Sequence, residues 1–309
     1  MSEWVGRTIS KVEVQKLLGR GGMAEVYLGR HTTLNRPVAI KILHAHLSED
    51  NMLLSRFRSE AQAVASMRHP NIVQVFDFDV AGDRPYIVME LLEGPSLKDY
   101  LGMVRRQGGI LPPETTARLV TALASALDYA HSRGVVHRDV KPANVMLRRE
   151  SGPIDPTAPL LADVEPVLTD FGVARMANAE AQTASGTIIG TPAYMSPEQV
   201  RGEAVDTRSD IYSLGIMVYE MLSGVLPFDG DSQASILVQH LTQPPPPLPN
   251  ASRELQAVVD RALAKSPAER FQKAGDFARA LGMALGMGGA CRRGTRRLLC
   301  RAASIGTLH

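Results

Sequence analysis

Apolar and polar residues alternate along the first part of this chain in a way that predicts strands. Val12 and Val14 alternate with polar neighbours, Val26-Tyr27-Leu28 follows a glycine turn, and Val38-Ala39-Ile40-Lys41-Ile42-Leu43 reads as a buried run. Strands are therefore expected within residues 12–46. The period then lengthens. Met52, Leu53, Phe57, Ala61, Val64 and Met67 form an apolar stripe that predicts a helix over residues 50–67, stopped by His69-Pro70-Asn71. Two more strands are expected, around Ile72–Asp77 and Arg84–Glu90. From Pro95 onward helical periodicity dominates, at 113–133, 207–223, 232–241, 252–264 and 274–285. Pro244–Pro247 with Pro249 reads as a rigid loop between two helices rather than a polyproline ligand. No internal repeat is present.

Composition narrows the picture only slightly. The 309 residues suffice for two lobes with real cores, and 44% hydrophobic with 21% charged residues is ordinary for a soluble globular protein. A formal net charge of +2 gives no global steering field, and no nucleic-acid partner is expected. The N-terminus lacks a charged-then-apolar signal region, and no apolar run reaches the length of a membrane span. Cysteine occurs at positions 291 and 300 alone, so a disulfide scaffold is excluded for the body and a reducing, cytoplasmic location is expected.

The chemistry concentrates in His137-Arg138-Asp139-Val140-Lys141-Pro142-Ala143-Asn144 and in Asp170-Phe171-Gly172. Phosphoryl transfer from ATP needs such a set: one carboxylate to orient the attacking hydroxyl, one cation for the transferring phosphate, and Asn plus Asp to hold magnesium. Taken singly, each residue is an ordinary turn former. In this order and spacing they resemble bacterial eukaryotic-like (Hanks-type) serine/threonine protein kinases, and the Lys141-Pro142 pair resembles the Ser/Thr branch. The resemblance covers about residues 10–285. It implies an α+β, bilobal fold with a small antiparallel β-rich N-lobe carrying one main helix and a larger helical C-lobe. The N-lobe is expected over residues 1–92 and the C-lobe over 93–285. The two join at about Glu90–Gly94, with the cleft between them. Residues 286–309 read as a basic, disordered tail with Arg292, Arg293, Arg296, Arg297 and Arg301 around Leu298-Leu299.

Roles follow from the resemblance, position by position. Asp139 is expected to be the catalytic base, Lys141 to neutralise the γ-phosphate, and Asn144 and Asp170 to hold the metal. Magnesium suits hard oxygen ligands, with manganese as a substitute. Lys41 would grip the α- and β-phosphates, paired with Glu60. The turn Leu18-Gly19-Arg20-Gly21-Gly22-Met23-Ala24-Glu25-Val26 would cover ATP. Its glycines let backbone amides approach phosphate, although Ala24 stands where the strict pattern has a third glycine. Ala39, Met89, Glu90, Leu92 and Met146 are assigned to the adenine pocket. Thr191, in Gly190-Thr191-Pro192, would contact Asp139 and Lys141 on the substrate shelf.

The segment from Asp170 to Glu198 is expected to be an activation segment. Thr183 and Ser185 are its phosphosites, and Arg138 would receive the phosphate. Asp210 should support the catalytic loop, and Arg270 should pair with Glu198. One departure stands out: Asn144 and Asp170 are separated by about a dozen residues more than usual. The extra segment, around Arg149–Pro166, reads as an enlarged hairpin loop on the back of the large lobe. The implied activity is transfer of the ATP γ-phosphoryl group to Ser or Thr hydroxyls of proteins, including the chain itself, with a small-lobe homodimer as a candidate partner state. A nucleotide-binding pseudokinase scaffold is the alternative, and a small-molecule phosphotransferase is a third class.

Overall fold

A computed structural model describes residues 3–22, 24–44, 61–149, 152–155, 157–171 and 192–287. Eight strands are named in chain order: β1 (Thr8–Ile9), β2 (Val12–Arg20), β3 (Ala24–His31), β4 (Arg36–Leu43), β5 (Val75–Ala81), β6 (Arg84–Met89), β7 (Val145–Arg148) and β8 (Glu165–Leu168). The helices are α1 (Leu97–Arg106), α2 (Pro113–His131), α3 (Pro197–Arg201), α4 (Thr207–Ser223), α5 (Gln233–Thr242), α6 (Arg253–Ala262) and α7 (Ala274–Ala284). Residues 61–65 are also helical.

The first six strands form one antiparallel sheet in the order β1-β2-β3-β4-β6-β5. Strand alternation explains its two faces. Val38, Ile40 and Ile42 enter a small core with Trp4, Tyr27, Tyr86 and Val88. Ala39 and Lys41, out of phase with them, point the other way. The fifth strand differs from expectation: it runs Val75–Ala81, while Ile72 makes only an isolated bridge to Leu168. The residues before Val75 are drawn toward β8 instead, where Val73 N–H donates to the Leu168 carbonyl at 3.0 Å.

The helical part is organised around α4, which is buried on nearly every side. Leu214, Ile216, Met217 and Met221 on it pack with α2, α6 and α7 into a large core. Helix α1 falls in a stretch where no separate helix is expected from the sequence. It is short, but Ser96 caps it by accepting the Asp99 N–H, and Leu97, Tyr100 and Leu101 supply a buried stripe at helical spacing.

Strands β7 and β8 pair antiparallel, so the enlarged hairpin is observed. Its loop is docked onto the large lobe. The Tyr100 hydroxyl donates to the Ala158 carbonyl at 2.9 Å, Arg118 donates to the Leu161 carbonyl at 3.0 Å and to that of Val164, and Val164 is buried. The connection between sheet and helices passes very close to this hairpin. A side chain at Gly94 would place its Cβ 1.9 Å from the Leu147 carbonyl oxygen, so only glycine fits. Arg148 adds a clasp, with Nη1 3.0 Å from Glu90 Oε1 and Nη2 donating to the Pro70 carbonyl at 2.8 Å.

Candidate active site

The site is assembled from four separated pieces of chain. Strand β4 delivers Lys41, the hairpin approach delivers Asp139 through Asn144, the end of β8 delivers Asp170, and the β2–β3 turn lies at the edge of the sheet. Lys41 Nζ is 2.7 Å from Asp170 Oδ1. Lys141 Nζ is 2.7 Å from Asp139 Oδ2. Asn144 Nδ2 donates to the Asp139 carbonyl at 2.8 Å and to Asp139 Oδ2 at 2.9 Å, which turns its own Oδ1 away from that carboxylate. Two charged groups are thus formed, Lys41 with Asp170 and Asp139 with Lys141 and Asn144, and the Thr169 N–H, donating to the Asn144 carbonyl at 2.8 Å, ties the second to the residue before Asp170.

Burial disfavours charge on Asp170, but the Lys41 ammonium outweighs it, with His137 and Lys141 adding to the effect. The carboxyl is held below its ordinary range and stays ionised at neutral pH. Its backbone is unusual as well. Asp170 has φ 53° and Arg138 has φ 64°, both in the left-handed region that non-glycine residues seldom occupy.

Asp210 holds the strained Arg138. Buried at the start of α4, it accepts the His137 N–H on Oδ2 and the Arg138 N–H on Oδ1 at 2.8 Å each, and His131 Nε2 lies 2.7 Å from Oδ2 as well. The architectural role expected of Asp210 is thus observed. His137 is fully buried and its pKa is lowered, chiefly by burial. Its Nδ1 accepts the Asp139 N–H at 3.2 Å and its Nε2 lies 2.9 Å from the Thr169 carbonyl, so the neutral ring carries its proton on Nε2. The ring lies 4.6 Å from that of Phe171 and links the two acidic segments.

Glu198 and Arg270 form the expected pair, in two parallel contacts of 2.8 Å, with both side chains almost wholly buried. Burial raises the Glu198 pKa, but hydrogen bonds from Arg270 and Ser209 reverse this and hold it low. Gln199 then donates to the Arg138 carbonyl at 2.8 Å and ties α3 to the catalytic loop. His131, Gln199 and Ser209 were not anticipated. Each acts on a group whose position only the fold defines, His131 and Gln199 across more than sixty residues of sequence, and no local pattern marks them.

In the β2–β3 turn, Gly19 pairs with Val26 and Arg20 with Glu25, and the Gly21 N–H donates to the Ala24 carbonyl at 2.8 Å. Ala24 is buried, so its methyl group sits inside the turn. A Cβ at Gly19 or Gly22 would meet nothing within 4 Å. The protein itself does not require glycine there, whereas a phosphate lying against the backbone would. Leu18 is exposed beside this turn. Ala39 is paired with Met89 in the sheet register, and Met146 bridges to Ser96 below them. Glu90 N–H is occupied by the Gln74 carbonyl at 2.9 Å. Leu92 lies in the connection between the lobes. Met23, Glu60, Thr183, Ser185 and Thr191 lie outside the described residues, as do Gly172, Cys291, Cys300 and the basic tail.

A nucleotide and a divalent metal fit what is present. The cleft has open glycine backbone, an ionised Asp170 and the free Asn144 oxygen. Among the described residues no group of three or more His, Cys, Asp or Glu side chains could hold a metal by itself. Two oxygen donors that would need phosphate oxygens to complete a coordination shell suit a hard cation carried with its nucleotide.

The protein kinase domain model matches residues 12–279. The serine/threonine-protein kinase Pkn1 of Myxococcus xanthus is 42% identical over 286 residues, covering 91% of this chain and 39% of the relative. PknB of Mycobacterium leprae is 41% identical over 277 residues, covering 86% of this chain and 42% of PknB. The chain thus spans about two fifths of the length of these curated relatives. A crystal structure of a double mutant of the Mycobacterium tuberculosis PknI kinase domain superposes with a TM-score of 0.69 at 30% identity, covering 93% of this chain and all of that one. The two-lobed fold, the paired charges of the cleft and these matches lead to one assignment: the chain belongs to the protein kinase family, in its bacterial Hanks-type serine/threonine branch.

Proposed function

We propose that this chain is an ATP-dependent protein kinase acting on serine and threonine hydroxyls of proteins, including its own activation segment. The observation that carries this reading is the convergence of Asp139, Lys141, Asn144, Asp170 and Lys41 in one cleft, each acidic group already matched by a cation. Magnesium, held by Asp170 and Asn144 together with phosphate oxygens, would supply charge neutralisation at the transferring phosphoryl group. Lys41 would bind the α- and β-phosphates. The Gly19–Gly22 backbone would bound the phosphates from above, and Ala39, Met89 and Met146 would flank the adenine.

Asp139 accepts the proton of the attacking hydroxyl, and Lys141 beside it favours the charge on the γ-phosphate oxygens. Asn144 keeps the Asp139 carboxylate oriented. Glu60 as partner of Lys41, Thr191 as a substrate-side contact and Arg138 as receiver of a phosphate on Thr183 or Ser185 complete the reading.

We take residues 10–285 as one catalytic domain whose lobes meet near Glu90–Gly94, and residues 286–309 as an appended basic tail. A kinase of this kind works where ATP is held, which favours the cytoplasm. No helix of the described residues is long and apolar enough to cross a membrane. A homodimer through the small lobe is the candidate partner state, which the family resemblance alone suggests.

The test is transfer of label from γ-labelled ATP with magnesium to a histone mixture, with Asp139→Asn alongside. Strong labelling by the wild-type chain and near-background labelling by the variant is expected. Equal signals would overturn the assignment.

A further inference from the structure

The glycine turn between β2 and β3 is braced from the outer face of the sheet. Glu25 and Tyr27 lie across from Ile42 and Ile40 in the sheet register, and Val26 lies across from Lys41. Successive side chains of a strand alternate between faces, so Glu25 and Tyr27 share the face opposite to Lys41. There the buried Tyr27 donates its hydroxyl hydrogen to Glu25, and Arg20 Nε stands 2.8 Å from the other Glu25 oxygen. These contacts fix the base of the turn from outside the cleft.

The tip is held by a residue that belongs to none of the sequence motifs. His44 follows Leu43 at the end of β4 and continues the phase of Ile40 and Ile42. Its Nε2 lies 3.1 Å from the Gly21 carbonyl oxygen. A carbonyl only accepts, so the ring donates, whether as the Nε2–H tautomer or as the imidazolium. In a trans peptide the carbonyl and the following N–H point in opposite directions, and no described peptide bond is cis. With the Gly21 carbonyl drawn to His44, the Gly22 N–H is turned the other way, toward the side that carries Lys41. The Gly21 N–H is already engaged by the Ala24 carbonyl at 2.8 Å, whereas the Gly22 N–H makes no hydrogen bond among the described residues.

We propose that His44 is a positioning residue for the nucleotide phosphates: it pins the Gly21 carbonyl on the outer face of the sheet and so presents the Gly22 N–H to a phosphate oxygen on the Lys41 side. The inference rests on the kinase reading, because it takes the cleft beneath this turn as the phosphate site. His44 itself meets no phosphate. Its effect is therefore confined to ligands that carry one.

The experiment titrates ATP, ADP and adenosine, each with magnesium, into the full chain and into its His44→Ala and His44→Gln variants, with calorimetry as the readout. Loss of one modest hydrogen bond should raise Kd for ATP and ADP about two- to tenfold in His44→Ala. Kd for adenosine, which has no phosphate to meet the Gly22 N–H, should stay within about twofold. His44→Gln keeps a side-chain donor and should recover most of the loss. In transfer to histone, KM for ATP should rise with Kd while kcat stays within about twofold, as expected for a contact made equally before and during the reaction. Equal weakening of ATP and adenosine would mean that His44 serves only general stability, and this result would overturn the proposal. Unweakened binding of ATP by His44→Ala would overturn it as well. A wild-type chain that binds no ATP would sink the kinase reading and this role together, whereas tight ATP binding indifferent to His44 would sink this role alone.

Discussion

Lys41 and Asp170 stand 129 residues apart in sequence and 2.7 Å apart in space. The pair closes the cleft between sheet and helices with one cation and one carboxylate. Both ends are partly open to solvent, so the contact adds little stability. Its proposed value is chemical. Lys41→Met and Asp170→Asn should each lower phosphotransfer by at least about 100-fold, because each removes charge stabilisation of the transferring group. Melting temperatures without ligand should stay near wild type. The rise in melting temperature on adding magnesium and ATP should vanish in Asp170→Asn, which thermal unfolding would register.

Asp139→Asn keeps the size of the side chain and removes its basicity. A general base is typically worth about 10²- to 10⁴-fold, so kcat should fall within that range. KM for ATP should change little, since the proposed role of Asp139 is toward the acceptor hydroxyl and not the nucleotide. Steady-state kinetics with ATP varied at fixed histone separates the two quantities.

The Glu198–Arg270 pair has the opposite character. It is buried and bidentate. Arg270→Ala would strand a buried carboxylate, at a cost of about 3–5 kcal/mol. Urea denaturation should show this as a lower midpoint with an unchanged slope. An Arg270→Ala protein as stable as wild type would remove the structural role assigned to the pair.

His240 should leave a trace in the acid stability of the protein. Burial, assisted by the Lys265 ammonium, lowers its pKa to about 4, against 6.5 for an ordinary imidazole. The unfolded chain therefore takes up this proton first as pH falls. Stability from this group is intact above about pH 6.5 and is lost progressively down to about pH 4, by an amount on the order of 3 kcal/mol. Denaturation of wild type and His240→Gln between pH 7 and 5 should show the variant losing less. Parallel losses would show that other groups govern the acid limb.

Phosphate on Thr183 or Ser185 is expected to reach Arg138, whose backbone is already fixed by Asp210 and Gln199. The double change Thr183→Ala with Ser185→Ala should slow transfer strongly. Phosphopeptide mapping after incubation with ATP and magnesium should find label on one or both residues. Unchanged turnover would leave Arg138 without this partner.

The strands from Val12 to Leu43 were legible because burial on one face enforces a period of two. The late helices were legible because their apolar stripes are long. Helix α1 was less so, since a ten-residue helix held by one cap carries a weak periodic signal. The strand expected from Ile72 begins instead at Val75, because Val73 bonds to β8, a partner nearly a hundred residues later. In the site, Asp139, Lys141 and Asn144 were readable from fixed offsets within one loop. His131, Gln199 and the Tyr212–His240–Lys265 chain were not, since their partners are set by packing.

The sequence by itself determined which charged groups the chain possesses, the order in which they occur and the family they resemble. Local spacing and periodicity suffice for that, because both are properties of neighbouring residues. Only the tertiary structure decided that Lys41 meets Asp170, that Asp210 clamps the strained turn at Arg138, and that a buried His240 meets Tyr212. Those pairings depend on how helices and sheet pack, and packing is fixed by the whole core at once.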